Sequence, residues 1–254
     1  MRTNTALEKI RGGTAAINGW LGLPDTIAAE AMANAGFDSL TIDMQHGMID
    51  FDAALRMLTA ISTTPTTPIV RVPWLDEGAV MKMLDAGAWG VICPMVNTAE
   101  QAKRFVAATR YAPLGNRSVG PLRAAMYAGA GYMDQANDQV LSLAMIETRE
   151  AMDNLDAICS VEGLGGVYIG PADLSASLTG RVVRDTMDGE VGEAIRRVLE
   201  RAKAHGIIAA SHASSTGFAR QMREMGFQLV TCANDFQILS SGAAQAVREM
   251  RAAG

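Results

Sequence analysis

Short apolar runs recur along the chain, each preceded by an Ala- or Met-rich amphipathic stretch that closes on glycine. The phrase appears as Ala31–Gly36 before Phe37–Asp43, and as Met83–Gly87 before Trp89–Pro94. It returns as Gly163–Gly166 before Val167–Gly170, Ala204–Gly206 before Ile207–Ser211, and Glu224–Gly226 before Phe227–Cys232. Glycine just past a helix accepts the left-handed conformation without a Cβ clash, so it marks the helix end. An apolar run that follows reads as a strand covered on both faces. Ala15–Trp20, Pro68–Val72 and Leu141–Glu147 bring the strands to eight, alternating with helical patterns. Eight such units in 254 residues predict one domain, residues 1–254, folded as a (β/α)8 TIM barrel. An open doubly wound sheet is the alternative, but no Gly-x-Gly-x-x-Gly follows the first strand. The Gly-rich segment Pro113–Asp138, with Arg117 and Arg123, reads as a long loop between strands four and five, a length usually kept for function.

Composition narrows the class. At 49% hydrophobic and 19% charged, the chain can bury a sizeable core. A net charge of −5, no Lys/Arg run and only 5% aromatic residues argue against a nucleic-acid partner. No apolar run is long enough for a membrane span, and Met1–Gly13 contains no signal-peptide core. Cys93, Cys159 and Cys232 are far apart and show no Cys-x-x-Cys spacing, as expected in a reducing cytoplasm. The expectation is a soluble cytoplasmic protein.

In such a barrel, chemistry sits at the carboxyl ends of the strands. Those ends carry Trp20, Asp43-Met-Gln-His46, Arg71, Glu147, Gly170-Pro171-Ala172-Asp173, Ser211-His212 and Asn234-Asp235. Arg71 interrupts the apolar run Ile69–Val72, where a guanidinium is costly unless paired. It reads as a binder of a carboxylate or developing oxyanion, or as half of a rim ion pair. His46 follows Asp43 by three residues, close enough for the carboxylate to hold one imidazole nitrogen while the other acts as a base. An ordinary hydrogen-bonded loop histidine fits the same spacing. Glu147 and Asp173 end neighbouring strands, about 4.8 Å apart, and could share one oxygen-seeking divalent cation. They could equally serve a rim salt bridge and the N-cap of a helix starting at Leu174. The N–H groups of Ala172 and Asp173 form an anion site at that helix start. His205 reads as a helix-end residue, and His212 has no assigned role. The four lysines, Lys9, Lys82, Lys103 and Lys203, avoid the strand ends, which speaks against Schiff-base chemistry and leaves a metal-stabilised enolate.

Along most of its length the chain resembles the HpcH/HpaI family of metal-dependent pyruvate aldolases, often named for 4-hydroxy-2-oxoheptanedioate aldolase. The resemblance rests on Trp20-Leu-Gly-Leu, Ile42-Asp-Met-Gln-His46, Val70-Arg71-Val-Pro, Leu84-Asp85-Ala-Gly and Pro94-Met-Val. It continues through Arg110-Tyr-Ala-Pro, Arg117-Ser-Val-Gly120, Ile146-Glu147-Thr-Arg-Glu-Ala and Gly170-Pro-Ala-Asp-Leu-Ser175. It implies an aldolase that reversibly cleaves a 4-hydroxy-2-oxo acid to pyruvate, or hydroxypyruvate, and an aldehyde. Glu147 and Asp173 would bind Mg²⁺, Mn²⁺ or Co²⁺. Trp20, Met145, Gly170, Pro171, Ala172 and Asp173 would face the substrate, and the Ala172 and Asp173 N–H groups would hold its carboxylate. His46, supported by Asp43, would be the proton acceptor, with Asp85 of a neighbouring subunit raising its basicity. Arg71 would stabilise the enolate. The resemblance also implies a homo-oligomer, trimer or hexamer, that exchanges its last helix between subunits. Two positions depart from the family pattern: Gln45 where Glu is common, and Met145 where Gln often contacts the substrate. A citrate-lyase β-chain-like or phosphoenolpyruvate-mutase-like lyase is the alternative enzyme, and a non-catalytic barrel subunit the alternative of another class. A CoA-using lyase would draw its phosphate-binding charge from Arg117 and Arg123.

Overall fold

The computed structural model describes residues 2–252. Eight parallel strands, β1 (Ala16–Leu21), β2 (Ser39–Asp43), β3 (Thr67–Arg71), β4 (Gly90–Cys93), β5 (Leu141–Ile146), β6 (Gly166–Ile169), β7 (Ile208–His212) and β8 (Leu229–Asn234), pair in order. The pairing of β1 with β8 closes the barrel, and helices alternate with the strands. Each strand foreseen from the apolar runs is present, with ends shifted by a residue or two.

The two-residue period of a strand decides which side chains reach the lumen. Along β5, Leu141, Leu143 and Met145 belong to the inner cluster, while Ala144 and Ile146 pack outward against the helices. Glu147, one step beyond the strand, therefore inherits the inward side. The same parity carries Ile69 to Arg71 on β3, and Ala16 to Trp20 on β1. Register then brings Asp43 opposite Arg71 across β2 and β3. The lower lumen is closed by Ala6, Leu7 and Ile10 of the first helix, Thr5–Arg11.

A polar layer crosses the lumen between these apolar floors. Asn18 Nδ2 donates to Thr41 Oγ1 at 3.0 Å and to Thr231 Oγ1 at 2.7 Å, and the Tyr168 hydroxyl meets Thr231 Oγ1 at 2.6 Å. These fully buried groups satisfy one another, which keeps the cost of burying them low.

The segment Pro113–Asp138 is not the long active-face loop its glycines suggested. It carries helices Leu122–Ala128 and Tyr132–Gln139 and runs under the amino-terminal end of the barrel, just before β5 begins. Arg117 is buried there against Asp85, 2.7 Å away, with the Tyr132 hydroxyl at 3.0 Å and the Tyr111 ring 4.4 Å from the guanidinium. Arg123 donates to the Ala86 carbonyl at 2.6 Å. Both side chains fasten helices together, so neither offers charge to a ligand at the strand carboxyl ends.

The last helix, Asp235–Ala252, stands apart. Asp235 is its only buried residue, accepting from the backbone N–H of Gly22 at 2.9 Å and of Leu23 at 3.1 Å. Phe236, Ile238, Leu239, Val247 and Met250 are all exposed. Among the described residues no helix is long and apolar enough to cross a membrane.

Candidate active site

A cavity of about 630 Å³ opens at the carboxyl ends of the strands, bounded by Trp20, His46, Arg71, Glu147, Asp173 and His212. A larger one, about 750 Å³, lies at the opposite end, where Asp138 is the sole carboxylate facing Arg11, Arg110 and Lys203. Only the former gathers converging carboxylates with a histidine and an arginine. No lysine lines it.

Arg71 is fixed by a two-pronged contact with Asp43: Nε donates to Oδ1 at 2.8 Å and Nη2 to Oδ2 at 2.6 Å. Trp20 Nε1 donates to the same Oδ2 at 3.1 Å, and the guanidinium carbon lies 4.8 Å from the centre of the Trp20 ring. Burial alone would raise the Asp43 carboxyl, but the hydrogen bonds and charge of Arg71, with Trp20 behind them, hold it below its ordinary value. Asp43 is thus anionic and anchors Arg71 in one pose. The Nη1 group remains, with Met145 Sδ at 4.0 Å as its only hydrogen-bond contact among the described residues.

Asp43 reaches His46 differently from the sequence expectation. Its Oδ1 accepts from the backbone N–H of Gln45 at 3.1 Å and of His46 at 3.3 Å, and does not contact the imidazole. Because both its oxygens are already engaged by Arg71, the carboxylate shapes the turn that carries His46 rather than orienting the ring. The His46 side chain is exposed at the cavity wall.

Glu147 is 2% exposed, and its Oε1 accepts from the Met95 backbone N–H at 2.7 Å. Met95 sits in the left-handed region at φ 54°, unusual for a residue with a side chain, and the turn after Pro94 aims its N–H at the carboxylate. Burial pushes Glu147 up to about 7 despite the Met95 hydrogen bond, and the charge of Asp173 adds to the rise. Its Oε2 has no hydrogen-bond partner among the described residues and lies over Gly170, where a Cβ would collide with it and with the Met145 methyl. Glycine is required here for space. The helix that follows starts earlier than the sequence suggested, at Pro171 with Gly170 in the cap position. Asp173 is therefore in its first turn and does not cap it. The N–H groups of Ala172 and Asp173 fall in the orphan positions of a helix start, beside the two carboxylates.

Two carboxylates, one with an unpaired oxygen, fit a small hard cation whose remaining positions are filled by water and substrate oxygens. Among the described residues no three His, Cys, Asp or Glu side chains form a metal-holding group. The donor set is all oxygen, which suits Mg²⁺ or Mn²⁺.

Within one chain Asp85 is far from this cavity. It closes helix Glu77–Asp85 at the amino-terminal end of the barrel, paired with Arg117. Sequence reasoning missed the Met95 N–H, and also Arg184, Ser214 and Gln237 on the cavity wall, which Asn234 joins from the end of β8 as expected. Only the Pro94-Met95 turn at the end of β4 hinted at the first of these.

Met145 lines the cavity floor between Arg71 and Gly170, and is 2% exposed. Met145→Gln gives Arg71 Nη1 a hydrogen-bonding neighbour, so donor KM should change severalfold, the size of one hydrogen bond of about 0.5–1.5 kcal/mol. Steady-state kinetics with pyruvate and hydroxypyruvate check this. A lower melting temperature with unchanged donor preference would make Met145 packing only.

The HpcH/HpaI aldolase/citrate lyase family model matches residues 17–241. A hydroxypyruvate/pyruvate aldolase of Rhizorhabdus wittichii is 46% identical over 240 residues, 94% of this chain and 96% of the relative. A 4-hydroxy-2-oxo-heptane-1,7-dioate aldolase of Salmonella dublin is 39% identical over 245 residues, 94% of this chain and 92% of the relative. Among solved structures, an HpcH/HpaI aldolase/citrate lyase family protein of Burkholderia cenocepacia superposes with a TM-score of 0.90. It is 34% identical and covers 98% of this chain and 100% of its own.

Proposed function

The chain belongs to the HpcH/HpaI aldolase/citrate lyase family and is a class II aldolase, a carbon–carbon lyase, and we propose that His46, Arg71, Glu147 and Asp173 carry its reaction. The reaction is cleavage, and in reverse formation, of a 4-hydroxy-2-oxo acid from pyruvate or hydroxypyruvate and an aldehyde. Glu147 and Asp173 would hold the divalent cation, which supplies Lewis-acid polarisation of the keto oxygen when bound.

The rest follows from the chain's own groups. The N–H groups of Ala172 and Asp173 receive the substrate carboxylate at the positive end of their helix. Arg71, with Nε and Nη2 committed to Asp43, presents Nη1 to the keto oxygen. Its charge is in place before the enolate forms, so little reorganisation accompanies the step. In the cleavage direction His46, directly or through a water, accepts the proton of the C4 hydroxyl. The C3–C4 bond breaks, the aldehyde departs, and the electron pair stays on the donor as its enolate until His46, directly or through the same water, returns the proton to C3. The Trp20 ring shields one face of the Arg71 pair from water.

The observation that carries this reading is the unpaired Glu147 oxygen beside Asp173, facing an arginine locked by Asp43. With a chelator, retro-aldol cleavage of hydroxy-keto acids should disappear, and Mg²⁺, Mn²⁺ or Co²⁺ should restore it. Borohydride with pyruvate should trap no adduct. A chelator-resistant enzyme with a trapped lysine adduct would sink the assignment.

The assembly belongs to the same proposal. A helix of 18 residues with Phe236, Ile238 and Leu239 exposed lacks a covering surface on its own barrel. A second copy of the chain covers it, by exchange of this helix within a homotrimer or hexamer. Light scattering should give a mass several times the 26.9 kDa of one chain.

A further inference from the structure

The larger cavity, about 750 Å³ at the amino-terminal end of the barrel, has no part in the aldol reaction. Leu7, Ile10, Leu141 and Ile208 of the inner apolar cluster form its floor. Its wall carries Arg110, which closes the helix Ala99–Thr109, Arg11 of the first helix, and Lys203 of the helix Gly189–Ala204.

Among the described residues the chain buries three arginines, Arg71, Arg110 and Arg117. Arg71 and Arg117 each have a carboxylate oxygen within 2.7 Å, from Asp43 and Asp85. Arg110 is 6% exposed and forms no salt bridge among the described residues. Its Nη1 donates to Thr109 Oγ1 at 3.1 Å, and its Nη2 to Ser142 Oγ at 3.2 Å and to the Gly163 carbonyl at 3.0 Å. These neutral acceptors fix the guanidinium without cancelling its charge. Nε has no hydrogen-bond partner among the described residues. A buried charge without a counter-ion is costly. Burial pushes Arg110 down to about 10, and the charge of Asp138 offsets only part of that.

The other two cations, exposed at the cavity mouth, are also held by neutral groups. Arg11 Nη2 donates to the Asp138 carbonyl at 3.0 Å. Lys203 Nζ donates to the Met225 carbonyl at 3.3 Å and lies against Gly226, where a Cβ would collide with it. The Asp138 side chain, the one carboxylate on the wall, forms no salt bridge among the described residues. Three cations against one carboxylate leave two positive charges unmatched. Cations favour the carbonyl ends of helices, and these three stand at such ends. Helix-end cations ordinarily keep their water, however, and Arg110 has lost most of its own.

We propose that this cavity binds a small phosphorylated metabolite, its phosphate received by Arg110, Arg11 and Lys203 and its organic part lying on the apolar floor. A phosphate monoester offers three terminal oxygens to cations arriving from three separate helices, and its geometry matches the guanidinium fork. The site is at the far end of the barrel from His46 and Glu147, and it stands or falls independently of the aldol reaction.

The test is calorimetric titration of metal-loaded full-length enzyme with inorganic phosphate, phenyl phosphate and succinate, in saturating pyruvate to fill the carboxylate-binding helix start at Ala172 and Asp173. Phosphate should bind at one per chain, phenyl phosphate severalfold more tightly, and succinate more weakly. Arg11→Met and Lys203→Met should each lower phosphate affinity about tenfold, the effect of one charge-assisted hydrogen bond, and leave proton exchange into pyruvate unchanged. Arg110→Gln should abolish binding, and without phosphate its melting temperature should not fall, because it removes an unpaired buried charge. If Arg110→Gln fails to fold, the two exposed variants decide alone. No phosphate binding, binding only when pyruvate is left out, or equal affinity in wild type, Arg11→Met and Lys203→Met overturns the site. Succinate bound as tightly as phosphate overturns the phosphate assignment, and phenyl phosphate bound no more tightly than phosphate overturns the role of the floor.

Discussion

His46→Ala should slow exchange of the pyruvate methyl protons with solvent by about two to four orders of magnitude, the usual contribution of a positioned general base. The residue stands on a turn whose backbone is tied to Asp43, and its ring is exposed to the cavity. Removing the ring leaves those ties intact, because they use the backbone N–H groups of Gln45 and His46. The melting temperature should therefore hold while exchange collapses. Deuterium incorporation followed by proton NMR measures the rate, and wild-type exchange in the variant would remove His46 from the mechanism. Asp43→Asn makes a useful contrast. It breaks the anionic clamp on Arg71 as well as the turn, so it should lose both stability and rate.

Glu147→Gln should lower metal-dependent turnover by about two to three orders of magnitude, matching the loss of several kcal/mol of charge stabilisation. Stability should go the other way. The Gln oxygen can still accept from Met95, and no charge is left buried, so the melting temperature of metal-free protein should stay level or rise. A protein that gains stability by losing this carboxylate is one whose carboxylate is kept for function. Thermal denaturation of metal-free protein and metal titration of activity, on the same preparation, read both effects. Wild-type turnover with a lower melting point would make Glu147 a structural residue.

The barrel was legible because its signal is repeated: eight apolar runs alternating with helical patterns, five of them introduced by a helix-ending glycine, allow few other arrangements. The inward set at the strand ends was legible too, since strand parity carries Arg71, Glu147 and Trp20 to one rim. What stayed hidden depended on partners distant in sequence. Asp43 and His46 are three apart, yet β3 brings Arg71 against Asp43 and takes both its oxygens, so the spacing suggested a dyad that the chain does not form. Pro113–Asp138 looked like a functional loop because its two helices are short and glycine-flanked, with no long period to reveal them. Its arginines turned out to be internal fasteners, Arg117 through Asp85 and Arg123 through Ala86, at the end of the barrel away from the cavity. That placement removes the charge a CoA-using lyase would have drawn on. Met95 contributes a backbone N–H, and backbone groups leave no mark in residue type. Arg184 lies in an exposed segment without periodicity, and only the Asp185–Ser214 tie places it at the cavity.

Enolate formation at this one cavity is the central claim, and proton exchange at the methyl of pyruvate tests it most directly because it needs no aldehyde. Metal-loaded wild-type enzyme in D₂O should deuterate the methyl group, chelated enzyme should not, and added Mg²⁺ or Mn²⁺ should restore the exchange. Exchange that persists after chelation, or that never occurs with metal present, would contradict the account.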